Sequence, residues 1–250
     1  MVSDSHSLFY RFRSYIFATI TLVFIWFTVS RVANSPALPP PYIVLVAFLG
    51  NLPDLLPHIL ASTARVLYSI FLALSTAIPI GLVTRKDRVD SLIAPFIYLL
   101  YPIPHIVLLP LIILFFGIGD FSRIVLISMI LFFQILVTTR DAVRNVSNYY
   151  ILSLRSLGAG EKDVYWHVIL PAIVPKILTA MRISIGTAIA VLFFAESFAT
   201  TNGLGYVIID SWSRANYEDL YSGIISMALL GFLLYVVVEL LERKLCRWVD

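Results

Sequence analysis

Charge is missing from long stretches of this chain. Several runs of sixteen or more residues contain no Asp, Glu, Lys or Arg. A helix needs about 20 mostly apolar residues to cross a hydrocarbon core of about 30 Å. Inside such a core each backbone donor and acceptor must be satisfied without water, and for uncharged runs of this length the helix does so within one segment. The composition agrees: 60% of residues are hydrophobic and 13% charged, against about 25% charged in soluble domains. The expected fold is an all-α integral membrane protein with about six transmembrane helices, placed roughly at 14–30, 62–84, 91–116, 123–140, 177–199 and 220–241.

Two regions follow from this reading. Residues 1–61 hold an N-terminal transmembrane helix, an external proline linker and an interfacial helix in "YIVLVAFLGNL". Residues 62–250 hold a core of spans with a polar segment, 141–176, between the fourth and fifth. The order of Arg11 and Arg13, a 17-residue apolar run and small residues resembles a signal peptide. The length of the run and the spans behind it favour a retained helix. The third run carries Pro95, Pro102, Pro104 and Pro110. Each proline removes a backbone donor and crowds the preceding turn, so this helix is expected to bend or break.

The positive residues set the orientation. With the N-terminus inside, thirteen Lys and Arg fall on the cytoplasmic side and three, Arg31, Arg123 and Arg214, on the outer side; Arg65 and Arg182 lie in or beside spans. This bias follows the positive-inside rule and places both termini in the cytoplasm. A net charge of +3 is then accounted for by topology, with no nucleic-acid partner expected. No phosphate-binding Gly-rich loop ending in Lys-Ser/Thr occurs, nor a His-Glu-x-x-His or Gly-x-Ser-x-Gly pattern. His6, His58, His105 and His167 are scattered, and Cys246 is alone. Neither a cofactor, a metal nor an enzymatic activity is expected.

Between the fourth and fifth spans, "VSNYYILSLRSL" places Tyr150, Leu154 and Leu157 on one helical face. Gly158 is placed to end that helix in the left-handed conformation. Glu161 and Asp163 suit the first turn of a second helix, to which Val164, Trp166 and Val168 add apolar surface. "LPAIVP" is expected to stop that helix and redirect the chain into the fifth span. The product is a helix–turn–helix standing out of the membrane, whose apolar face calls for a soluble partner.

The same segment resembles the cytoplasmic motif of ATP-binding-cassette importer permeases: Glu-Ala-Ala, three residues, Gly, nine residues, Ile, one residue, Leu-Pro. Gly158, Val168 and Leu170-Pro171 fill the later positions at the motif's spacing, while Leu152-Ser153-Leu154 replace Glu-Ala-Ala. "LPPPYIVLVAFLGN", "PIPHIVLLPLIILFFGIGD" and "AESFATTNGLGYVI" are similar to the nitrate, sulfonate and taurine branch of that family, and the likeness runs over residues 36 to 250. It implies a permease of a prokaryotic inner or plasma membrane, surrounded by lipid. Each permease would pair with a second copy or a related permease, dock on a dimer of cytoplasmic ATPase subunits, and receive solute from an external solute-binding protein. ATPase coupling would fall to Leu157, Gly158, Ala159, Gly160, Val164, Val168, Leu170 and Pro171. Ser184, Gly186 and Ala190 are candidates for an interface between copies, and Arg182 and Glu196 for the pathway, with Gln134 and His105 behind them. The other reading of these features is a scaffold subunit that recruits a partner without transporting.

Overall fold

The computed structural model describes residues 3–248, with side chains from residue 13 onward. His6 and Arg11 lie outside the described side chains. Among the described residues, five helices are long and apolar enough to cross a membrane: Arg13–Ala33, Leu52–Val83, Asp120–Arg144, Glu161–Glu196 and Tyr217–Leu245. A sixth span is the pair Asp87–Leu100 and His105–Phe116, bent by 80° at the break between them. The break holds Pro102 and Pro104, where two N–H donors are missing in three residues, as the proline content of this run leads one to expect.

In chain order the elements are α1 (Ser3–Ala33), α2 (Pro41–Gly50), α3 (Leu52–Val83), α4 (Asp87–Leu100), a 3-10 turn (His105–Leu108), α5 (Leu109–Phe116), α6 (Asp120–Arg144), α7 (Asn148–Ser156), α8 (Glu161–Val164), a π turn (Tyr165–Ile169), α9 (Leu170–Glu196), α10 (Leu204–Ser213) and α11 (Tyr217–Leu245). Helix ends follow the charges. Asp120 opens α6 and Arg144 closes it, and Glu218 and Asp219 open α11 while Arg243 and Lys244 close it, as the helix dipole favours.

The core lies among α3, α6 and α9. Val66, Ala73, Leu126, Ile127, Leu131, Ile135, Ala188 and Leu192 are among its fully covered side chains. α3 approaches α6 tightly at Gly81, where an added Cβ would stand 2.6 Å from Thr139 Cγ2. α1 is the outlier: most of its described side chains face outward, including Phe17, Leu22 and Phe24.

Two sequence expectations need correction. α3 begins at Leu52 and runs through Pro57, so a division at residue 61/62 falls inside a helix. The prolines of "LPAIVP" do not stop the helix either. α8, the π turn and α9 form one continuous rod from Glu161 to Glu196. Pro171 enters just after the π turn, whose wider ring of hydrogen bonds lets the helix pass a residue without an N–H. Ile169, Ile173 and Ile177, spaced by four, then hold the rod against the rest of the protein.

Replacing Gly81 by Leu is expected to cost about 1–3 kcal/mol through overpacking against Thr139, read as a lower thermal midpoint in detergent. Gly50→Ala, where an added Cβ meets nothing within 4 Å, is the control that leaves the midpoint in place.

Candidate coupling, pathway and anchoring sites

α7 and α8 make an elbow at one end of the bundle. Ser147 caps α7 through its hydroxyl, which accepts from Tyr149 N at 3.3 Å. Gly158 turns the chain at φ +86°, a conformation costly for any residue with a Cβ. Asp163 Oδ2 accepts from Gly160 N at 2.9 Å and so caps the second helix. Arg155 pairs with Glu161 across the turn.

The elbow has an inner and an outer side. Ile151, Val164 and Ile169 are buried against Ala142, Val143, Ile173 and Ile177. Tyr149, Tyr150, Leu152, Leu157 and Trp166 are exposed, Leu157 to 84%. Val164 therefore does not add apolar surface, as its spacing suggested; it is part of what holds the elbow on. Leu154 likewise turns inward, away from Tyr150 and Leu157. Val168, Leu170 and Pro171 are half-buried, Ala159 is partly covered, and Gly160 is exposed. The Pro171 carbonyl accepts from Trp248 Nε1 at 3.3 Å, so the chain's final turn braces the elbow's exit. Nearby, Arg140 grips Asp90 with two hydrogen bonds of 2.6 and 2.9 Å, tying α4 to α6.

The candidate interface residues separate. Ser184 is buried in its own bundle beside Ile70, Leu131 and Ala188, so it is not on a free face. Gly186 and Ala190 are exposed on the opposite side of α9, with Ile183 and Phe194. Arg182 pairs with Glu242 of α11 at 3.2 Å, and its guanidinium lies 5.8 Å from the centre of the Tyr235 ring.

Glu196 has a different role from the pathway position considered for it. It is fully buried at the end of α9 away from the elbow. Its carboxylate accepts from Arg65 Nη1 at 2.5 Å, from Ser62 Oγ at 2.8 Å and from Gly205 N at 2.9 Å. Arg65, itself 1% exposed, also donates from Nε to Asp120 Oδ1 at 2.9 Å and from Nη1 to the Asn202 carbonyl at 3.2 Å. Arg123 donates to the carbonyls of Ala195, Phe198 and Ala199; it is buried rather than free on an outer loop. Two arginines thus pin the 197–203 loop to α3, α6 and α9.

The glycines of "NGLG" make room for this anchor. A Cβ at Gly203 would lie 2.4 Å from Glu196 Cδ, and one at Gly205 would lie 2.7 Å from Glu196 Cβ. His58 Nδ1 accepts from Gly203 N at 3.0 Å, His105 packs on the Phe133 ring, and His167 Nδ1 lies 3.0 Å from the Asp163 carbonyl. Each described histidine is tied to its own surroundings.

Residues 69–247 match the family described as binding-protein-dependent transport system inner membrane component. The taurine transport system permease protein TauC of Escherichia coli (strain K12) is 33% identical, over 91% of this chain and 86% of that one. The putative aliphatic sulfonates transport permease protein SsuC of Bacillus subtilis (strain 168) is 31% identical, over 87% and 80%. In fold, the chain is similar to one from the inward facing conformations of the MetNI methionine ABC transporter, with a TM-score of 0.66 at 19% identity, covering 76% of this chain and 95% of that one. The chain belongs to the binding-protein-dependent inner membrane components, the permeases of ATP-binding-cassette importers, and is a multi-pass membrane protein.

Arg65→Leu leaves Glu196 buried without its counter-charge and is expected to cost about 3–5 kcal/mol, whereas Arg65→Leu with Glu196→Leu removes both charges and recovers much of that loss. Thermal unfolding of the detergent-purified variants checks the order. Burial, with Glu242 nearby, pushes the Cys246 thiol up from its ordinary pKa. Less thiolate is then present at neutral pH, so maleimide labelling of Cys246 is expected to be slower than that of a free thiol and to quicken as pH rises.

Proposed function

We propose that this chain, paired with a second permease, forms the membrane path of an importer for a small anion of the sulfonate type, with the elbow in the cytoplasm and the Glu196 anchor at the outer face. The substrate class follows from the likeness to permeases named for taurine and aliphatic sulfonates. The orientation follows from the distribution of Lys and Arg.

The observation that carries the coupling role is the division of the elbow. Its inner side is fastened by Ile151, Val164 and Ile169, while its tip offers Leu157, Trp166 and two tyrosines to solvent. An apolar tip on a braced mount suits docking into a cleft of an ATPase subunit, with Gly158 fixing the angle. Leu157, Gly158, Ala159 and Gly160 would form the seated turn. Val164, Val168, Leu170 and Pro171 would pass its displacement into the rod. At 1.5 Å per residue the rod is about 54 Å long, so ATP-driven closure at the elbow reaches the outer anchor through one element. Solute would arrive from a binding protein on the outer face. The exposed stripe of Ile183, Gly186 and Ala190 is the surface offered to the second permease, since small residues let helices approach closely.

Leu157→Asp alters an exposed side chain, so it is expected to insert and fold normally, lose co-purification with the ATPase subunit and abolish taurine uptake into cells carrying the full system. Normal uptake and intact co-purification in that variant would overturn the docking role. Val164→Asp is expected to lower the thermal midpoint as well, which separates mounting from docking.

A further inference from the structure

Three side chains in a row hold the N-terminus of α10. Gly203 N donates to His58 Nδ1 at 3.0 Å, Leu204 N to Ser62 Oγ at 2.9 Å and Gly205 N to Glu196 Oε2 at 2.9 Å. The first N–H groups of a helix have no partner within it. His58 and Ser62, four residues apart, supply acceptors from one face of α3, and Glu196 supplies the third from the end of α9. Ser62 and Glu196 are fully buried. His58 is half-buried, so solvent reaches it.

The bond to Gly203 fixes the state of the His58 ring. A backbone N–H only donates, so Nδ1 carries no proton and the ring's single proton sits on Nε2. Imidazole is the side chain whose charge ordinarily changes near neutral pH. A proton on Nδ1 would set donor against donor, and would place a positive charge on a helix N-terminus that already carries a partial one. His167 is the opposite case: its Nδ1 faces the Asp163 carbonyl, an acceptor, and keeps that bond when charged. The groups that face His58 are Asp54 and Arg65 of α3, Glu196 of α9 and the Tyr206 ring of α10, stacked at 6.0 Å. Asp120 of α6 stands behind Arg65. The two acidic neighbours favour a charged ring and Arg65 opposes it. Arg65 and Glu196 are already paired with each other, and Asp54 is exposed, where salt screens it. The Gly203 bond is the direct contact that depends on the proton.

We infer that His58 is a pH-operated clasp on α10. Neutral, it holds Gly203; protonated, it releases the first turn of α10. Gly203 lies directly on the buried ion pair, since a Cβ there would stand 2.4 Å from Glu196 Cδ, so release unseats the residue that covers those charges. The hold is present at neutral pH and is lost as pH falls. That the clasp reads the pH outside the cell rests on the orientation proposed above; that it opens in acid does not.

Hydrogen–deuterium exchange of the full chain, in right-side-out membrane vesicles buffered inside near neutrality, tests both statements. A state that excludes the proton loses about tenfold in population one unit below the ordinary histidine pKa of 6.5. When the outside is taken from about pH 7.5 to about pH 5.5, across that value, protection of residues 203–206 is expected to fall about tenfold after correction for intrinsic exchange. Protection around Thr139 is expected to hold. His58→Asn places a neutral acceptor near the position of Nδ1, and His58→Gln a longer one. Neither side chain titrates, and both variants are expected to lose the pH step. Unchanged protection in the unaltered chain, a fall shared by the Thr139 region, or an equal fall in either folded variant would overturn the clasp. A fall that follows the inside pH instead overturns the orientation alone.

Discussion

A buried ion pair holds the end of the bundle away from the elbow. Arg65 and Glu196 lie in separate spans, both out of contact with solvent, where either charge alone would be costly to insert. They are tolerated because each is satisfied by several partners at once: Ser62, Gly205, Asp120 and Asn202 complete the shell. That requirement dictates the chain around them. Gly203 and Gly205 must lack side chains, and Arg123 must hold the carbonyls that the end of α9 and the following loop leave open. Such a shell is worth less as raw stability than as specificity. It permits one register of α3 against α9, because any slip would strand a charge.

How much of this was legible in the sequence differs by element. The spans were legible because hydrocarbon imposes length and apolarity residue by residue, and the broken third span because Pro102 and Pro104 remove donors within one turn. The left-handed turn at Gly158 was readable for the same local reason. The rod through Pro171 was not. The rod passes Pro171 beside a π turn and is held by Ile169, Ile173 and Ile177 packed on other elements, and that packing is not written in the local sequence.

The anchor was hidden for a related reason. Arg65 reads as a cation in or beside a span, and Glu196 as a pathway candidate. Their pairing becomes visible only when the two are placed at equal depth, Arg65 being the only Lys or Arg of α3 and Glu196 the only carboxylate of α9. Depth matching of lone opposite charges was the available signal. Val164 and Ser184 illustrate the limit of periodicity. Spacing assigns a face to a helix but does not say which face meets solvent, and here one helix turns Ser184 inward and Gly186 outward.

The continuous helix from Glu161 to Glu196 has a mechanical consequence. It is clamped at one end by a buried ion pair and held at the other mainly by apolar packing, so under the proposed coupling it would act as a lever with its fulcrum near the clamp. Over a length of about 54 Å, a tilt of about 5° sweeps the elbow through roughly 5 Å while the clamp barely stirs. Gly186, ten residues or about 15 Å from the clamp, moves by a little over a quarter as much. A small rotation would therefore shift the elbow end and leave the Arg65–Glu196 end in place.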